Sequence, residues 1–496
     1  MAMDQVVLLG AAILLASILA ARLGTGLGLP SLLIFLGLGV IIGQLGLKFS
    51  DADLAHSLGF LALVFILAEG GFTTRWKEIR PALPVALLLA TLGVVVSVAL
   101  VACFAHFVLG LDLATAILLG AITSPTDAAA VFSVLRRVPL PTSVRATLEA
   151  ESGFNDAPIV LLVATATSWA LGEGVEGGPV GLVGIIASEL VGGAALGLVV
   201  GWVGVHVMRR VALPASGLYP LAAMGWAVLA YGTGTALHLS GFAAVYVASV
   251  VLGNGEMPHR NAIRSFAEGM GWIAQIGLFV MLGVLADAFR ILWWEALFGL
   301  AIGAFVTFVA RPICVVVCAA WFKVPWREQA FVSWAGLRGA VPIIMATVPL
   351  AEAAPGAIEM FDMVFVFVVV FTLLQAPTLP WVARLLGVSK GTDATDVEFE
   401  FAPLDNIKAD MMQVHVAEGS KLHGVSIREI RLPKNSVVSL IVRDGTPFAP
   451  TPDDLVKVGD DVLIVTAAGD RRRVEARFKS LSQFGRLARW RQSDDA

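Results

Sequence analysis

Thirteen apolar runs, each about long enough to cross a bilayer, follow one another between residues 5 and 386. They fall at 5–22, 29–47, 54–73, 81–108, 113–134, 145–171, 179–208, 216–237, 239–253, 263–286, 290–320, 326–350 and 358–386. A hydrocarbon core about 30 Å thick takes roughly 20 apolar residues per helix, so the pattern sets the fold class before any motif is read. Backbone groups in lipid must bond internally, and for runs of this length the helix is the element that achieves it. With 57% of residues apolar and 15% charged, an ordinary soluble enzyme is excluded. The first run follows Asp4 with no basic leader, and so reads as a span rather than a cleaved signal peptide.

Basic residues in the short loops give the orientation. One side holds Arg22, Arg75, Lys77, Arg80, Arg136, Arg137, Arg145, Arg209 and Arg210, continuing with Arg260, Arg264, Lys323, Arg327, Arg384 and Lys390. The other side holds Lys48 and Arg290, beside acidic loops at Glu173–Glu176 and Glu352–Glu359. A bias of 15 to 2 puts the first side in the cytoplasm and the N-terminus outside. An odd number of spans then leaves the C-terminal 106 residues, which carry 15 of the 34 Lys and Arg, as a small cytoplasmic domain of an inner-membrane protein. Net charge of −4 offers no nucleic-acid footprint.

Within the sixth run stands the stretch Glu149-Ala150-Glu151-Ser152-Gly153-Phe154-Asn155-Asp156-Ala157. If Arg145 marks the membrane surface, Asp156 lies about 16 Å deeper, near the midplane. A carboxylate there is costly unless paired, hydrated or protonated, so its default reading is functional. Ser152 and Asp156 share a helical face, with Glu151 and Asn155 as the neighbouring pair. These oxygens suit a hard monovalent cation that has shed part of its water. A carboxylate that holds either a proton or a cation, never both, couples their movements in opposite directions.

Two runs are interrupted. The fifth contains Thr123-Ser124-Pro125-Thr126-Asp127-Ala128, and the twelfth contains Trp334-Ala335-Gly336-Leu337-Arg338-Gly339-Ala340-Val341-Pro342. Proline removes a backbone donor and glycine tolerates non-helical conformations, so each run can break its helix near mid-depth. The two lie seven spans apart and cross in opposite senses, the pattern of an inverted-repeat transporter with its site between the breaks. Residue-level similarity between the halves is not evident. Asp127 can cap the second half-helix, where a negative charge meets the positive dipole end. Arg338 needs a buried acidic partner, and Glu151 stands at comparable depth. Glu69 lines an ion route or snorkels to the cytoplasmic interface; Gln275 bonds a neighbouring helix or lines the pore. Arg311, Glu189 and His106 read as packing or interfacial groups. Cys103, Cys314 and Cys318, without a histidine partner, read as small hydrophobes rather than a metal site.

The runs Thr123–Asp127, Glu151–Asp156 and Gly336–Ala340 resemble the monovalent cation:proton antiporter-1 family, the NhaP-like proteins, over about 1–390. The resemblance implies an all-α, thirteen-span fold with inverted repeats, a dimerisation part and a mobile core of crossed broken helices. It further implies homodimers and elevator-like alternating access. It assigns Asp156 as the ion and proton carrier, with Ser152, the Thr126 carbonyl and Glu69 as cation contacts. Asn155 supports the site, and Glu151 with Arg338 forms a structural ion pair. Related electrogenic exchangers have Asp where Asn155 stands, so one carboxylate implies electroneutral exchange.

The tail reads as a linker at 388–403, an α+β domain at 404–484 and a basic-acidic end at 485–496. Short strands are expected at Met412–Val416, Val437–Val442 and Asp461–Thr466. The run from Gly419 through Gly459-Asp460-Asp461-Val462-Leu463 resembles the C-terminal lobe of potassium-transport regulatory domains, which implies sensing of a nucleotide-type or other small ligand, or dimerisation. No Gly-x-Gly-x-x-Gly follows a soluble strand, so NAD is not expected, nor any other cofactor. Arg471, Arg472, Arg473, Arg486, Arg489 and Arg491 read as a solvated helix face or an anionic-lipid contact.

The function expected is secondary exchange of K⁺, or alternatively Na⁺, for H⁺, with a role in cation, pH and cell-volume balance. A regulated K⁺ channel is the rival of another class, against which stands the lack of a Thr-Val-Gly-Tyr-Gly type filter. An organic-anion symporter on the same architecture is a further alternative. A membrane enzyme would need a nucleophile–His–acid or metal set that the runs do not supply.

Overall fold

A computed structural model describes residues 3–485 apart from 28–29, 47–50, 128–139, 173–177, 287–288, 389–397, 405–408, 417–419, 444 and 468–469. The second half of run five, the loop at Glu173 and Glu176, and Arg486, Arg489 and Arg491 thus lie outside the described residues. The chain forms two compact units, Met1–Ser389 and Lys390–Ala496.

Among its described residues the first unit is all helical, and a helix stands at each of the thirteen expected spans. Among the described residues, six helices are individually long and apolar enough to cross a bilayer. They are span three (Ala52–Thr73), span four (Leu83–Phe107), span seven (from Gly184 to Arg210), span ten (Arg260–Leu285), span eleven (Trp293–Phe322) and span thirteen (Ala357–Leu385). Span twelve, Trp326–Ala335 and Ala340–Ala351 bent by 49°, makes a seventh. Shorter apolar helices include Ser31–Gln44 (span two), Leu113–Thr123 (span five) and Gly241–Asn254 (span nine). Span six, Thr142–Ala170, is continuous over 29 residues but carries the polar stretch, which lowers its apolarity.

Close helix contact rests on small residues. Gly193, Gly197 and Gly201 of span seven, four apart on one face, lie against the backbone of Ser240, Ala244 and Ala248 in or just before span nine, where a Cβ would collide. The two breaks have matching neighbours. Span four widens into a π-turn at Leu89–Gly93, and span eleven does so at Val306–Ala310. These spans lie seven apart, as spans five and twelve do, and each precedes a broken span, so the inverted repeat is visible in backbone irregularities. Of the three thiols expected as small hydrophobes, Cys103 is exposed, whereas Cys314 and Cys318 are buried and each donates to span four: Cys314 Sγ to the Gly93 carbonyl at 3.2 Å and Cys318 Sγ to the Leu88 carbonyl at 3.5 Å. A π-turn shifts the i→i−4 ladder, and these thiols bond carbonyls in and beside it.

The second unit is an antiparallel five-stranded sheet of order β1-β2-β5-β3-β4, with β1 Glu398–Leu404, β2 Ala409–His415, β3 Ser436–Arg443, β4 Thr446–Phe448 and β5 Asp461–Ala467. The helix Arg471–Phe484 closes one face, burying Val474, Phe478 and Leu481 with Met412, Val414, Val462 and Ile464. Residues 398–403 are therefore not linker: they pair with β2 in the register Glu398↔His415 to Leu404↔Ala409. Arg473 is exposed, consistent with a solvated face for that residue.

Candidate functional site

The site is built where spans five, six and twelve meet. The helix of span five stops at Thr123, since Pro125 cannot continue the ladder, and the chain runs on to Asp127 without regular structure. Span twelve opens between Ala335 and Ala340, where Gly339 takes φ −117° and ψ −130°. The two openings bond each other: Asp127 N donates to the Leu337 carbonyl at 3.0 Å. Each break also neutralises the other's helix end. Ala340 N donates to Asp127 Oδ2 at 2.9 Å, setting a carboxylate on the positive end of Ala340–Ala351. Arg338 Nη1 donates to the Ser124 carbonyl at 2.7 Å, setting a guanidinium on the negative end of span five. A Cβ on Gly339 would overlap the Asp127 carboxylate, so the crossing needs glycine there.

Asp127 thus sits at the positive end of a half-helix of span twelve, while the second half of its own span, which it was expected to cap, lies outside the described residues. The proposed Glu151–Arg338 pair is corrected by the structure. Glu151 is forked by Arg311 of span eleven, whose Nη1 bonds Oε1 and whose Nη2 donates to Oε2 at 2.8 Å. All three side chains are buried. Arg311 follows directly on the π-turn of span eleven, and Gly336 in the break leaves room for its guanidinium. Sequence reasoning set Arg311 aside as packing. Its depth was the available signal, because it sits about as far from the Lys323 end of span eleven as Glu151 does from the Arg145 end of span six.

Thr126 meets span six. Its Oγ1 accepts from Asn155 Nδ2 at 2.8 Å and shares a hydrogen bond with Ser152 Oγ at 3.0 Å. Thus the side-chain hydroxyl of Thr126 belongs to the cluster. Asp156 is 6% exposed, and its Oδ1, like Asn155 Oδ1, is buried with no hydrogen-bond partner among the described residues. Two such oxygens are costly to bury bare, and together they offer donors to a partly dehydrated cation. Pro158, one turn up the same helix, has no amide to give the Phe154 carbonyl. The structure brings Thr126, Ser152 and Asn155 into contact beside Asp156, and it turns Glu69 towards span ten. There Gln275 Nε2 donates to Glu69 Oε2 at 3.4 Å and Gly271 makes space for the carboxylate. No group of three or more His, Cys, Asp or Glu arranged to hold a resident metal occurs among the described residues.

The end of span five bonded into the break of span twelve, beside a buried carboxylate with an unbonded oxygen, fits a secondary transporter of the inverted-repeat class. Residues 10–385 match the family described as sodium/hydrogen exchanger, transmembrane, and residues 411–479 match the TrkA-C domain. Among curated relatives, the chain is 33% identical over 491 residues to a K(+)/H(+) antiporter NhaP of Alkalimonas amylolytica, covering 95% of this chain and 82% of that protein. It is 33% identical over 485 residues to a K(+)/H(+) antiporter NhaP2 of Shewanella oneidensis, covering 96% and 83%. The fold is similar to that of the sodium proton antiporter MjNhaP1 of Methanocaldococcus jannaschii, with a TM-score of 0.66 at 24% identity over 78% of this chain and 100% of that one. The chain belongs to the sodium/hydrogen exchanger family and carries a TrkA-C domain at its C-terminal side.

Proposed function

We propose that this protein is an antiporter that exchanges K⁺ for H⁺ one for one, with Asp156 as the shared carrier. The observation that carries the reading is the bare, buried Asp156 Oδ1 next to the Thr126–Ser152–Asn155 cluster. Ionised, Asp156 binds the cation together with hydroxyl and amide oxygens. Protonated, it loses the charge that holds the cation, so one ligand displaces the other. Asn155 adds an oxygen without adding charge, which leaves one exchangeable charge per cycle. Glu151 and Arg311 fix spans six and eleven to each other, and Asp127 and Arg338 hold the breaks crossed, so this group moves as a body while alternating access exposes it to each side. Glu69 stands as an outlying contact through span ten rather than a direct ligand.

Potassium is favoured because relatives named as K⁺/H⁺ antiporters align over nearly the whole chain, tail included. Sodium is the second reading, supported by the family description and by the similarity in fold to a sodium proton antiporter. The loops rich in Arg and Lys face the cytoplasm of an inner membrane, the protein works as a homodimer, and the TrkA-C unit offers a place for control by a small ligand. The test is dequenching of a pH dye in proteoliposomes under an imposed pH gradient, with K⁺, Na⁺, Li⁺ and Rb⁺ supplied in turn. Proton movement evoked by K⁺ above the others is the expected result. Cation flux that persists without a pH gradient and scales with voltage would contradict antiport in favour of a channel.

A further inference from the structure

Glu149, Gly153 and Asp156 occupy positions i, i+4 and i+7 of one unbroken helix, so they stack along one face of span six. At 1.5 Å per residue the two carboxylates are about 10 Å apart along the axis. The position between them has no side chain of its own, and a neighbouring helix fills it. A Cβ on Gly153 would meet Tyr246 Cζ at 2.5 Å and the phenol oxygen at 2.6 Å, so the ring of Tyr246 lies directly on the glycine. Tyr246 belongs to span nine and is 3% exposed. Phe154 packs edge-on against it with ring centroids 5.1 Å apart, and its hydroxyl lies against Thr74 at the end of span three. Glu149 is half-buried, one turn above Arg145, with Glu78 of the short helix Trp76–Ile79 and Arg75 just before that helix within electrostatic reach. Beyond the ring stands Asp156, with a buried oxygen that no described group satisfies.

From this arrangement we infer that Glu149 is the collecting carboxylate for ions bound for Asp156 from the Arg145 side, and that the Tyr246 phenol seated on Gly153 is the closure between them. The inference rests on Asp156 as the exchange carboxylate. A carboxylate at a narrow mouth raises the local cation concentration, and the guanidiniums of Arg145 and Arg75 keep it from becoming a trap. The closure sits on a different helix from the two acids. Sliding of span six along span nine therefore draws Gly153 out from under the ring and joins the two carboxylates, whereas any larger residue at 153 would jam against the phenol. Glu149 and Tyr246 are positioning residues here, since the exchanged ion is bound at Asp156.

The test measures the KM for the exchanged cation separately at each face, in right-side-out and inverted vesicles containing the full chain. Glu149→Gln is expected to raise the KM at the Arg145 face about five-fold, the scale of one unit charge acting over about 10 Å in a partly hydrated mouth. The KM at the other face and the maximal rate stay within about two-fold of the original protein, and Glu149→Asp recovers most of the loss. Tyr246→Ala, but not Tyr246→Phe, is expected to add a cation leak that persists without a pH gradient. An equal shift at both faces, no shift at either, or a Tyr246→Ala protein without leak would overturn the inference. Asp156→Asn in the same vesicles separates the two ideas. If it still exchanges, the site reading fails; if it is silent while Glu149→Gln is normal, only the collecting role fails.

Discussion

Arg311 holds Glu151 through both terminal nitrogens in a setting where each charge alone would be expensive. Such a pair contributes little over an apolar alternative, yet breaking it from one side strands a buried charge. Glu151→Gln and Arg311→Gln should each lower stability by about 3–5 kcal/mol, and the double variant should lose at least ~1 kcal/mol less than the sum. Thermal unfolding of the purified protein in detergent checks this, and strict additivity would contradict the pairing. Residue identity carried far in one respect: the burial of Asp156 was legible from its depth alone, because lipid makes any mid-depth carboxylate conspicuous. The partner of Glu151 was not legible. Two arginines lie near its depth, and the choice depends on which helix stands beside span six, a tertiary fact that the local chain does not encode.

At the scale of elements, both breaks could be read from Pro125 and from Gly336 and Gly339, since those residues act on the backbone at their own positions. The exchange of helix ends between the breaks could not, because the Asp127 carboxylate acts on an amide 213 residues away. The π-turns of spans four and eleven also escaped, as ordinary apolar sequence surrounds them. In the C-terminal unit, β1 was hidden by its acidic composition, although Glu398-Phe399-Glu400-Phe401 alternates with strand period and ends as an edge strand. One contact there makes a pH prediction. Burial pushes the Asp460 carboxyl up, but Arg443 Nε and Nη2 at 2.8 Å and the Lys457 amide at 2.7 Å outweigh it, and the group stays below its ordinary value. A carboxylate depressed in the folded state stabilises it above the unfolded carboxylate range and loses that contribution as pH falls through the folded value. Asp460→Asn should therefore destabilise the unit by about 2 kcal/mol at neutral pH, with the gap closing below about pH 4. Amide exchange of β3 and β5 measures it, and a gap independent of pH would contradict the assignment.

The whole molecule joins a membrane exchanger to a small α+β domain, and the family matches divide the same way, at residues 10–385 and 411–479. Hydropathy alone set the class, since thirteen apolar runs in series admit few other folds. Direction and ion were less accessible, because both depend on free-energy differences between states and on the order of a few tenths of an ångström in oxygen placement. What ties the levels together is one acid: residue chemistry makes it bare, the crossed breaks hold oxygens beside it, and the membrane unit carries it. The most direct test is therefore cation-evoked proton exchange by Asp156→Asn in proteoliposomes, with thermal unfolding run alongside. The expected result is loss of exchange for every cation in a protein that unfolds at or above the original temperature. Retained exchange in that variant would contradict Asp156 as the carrier.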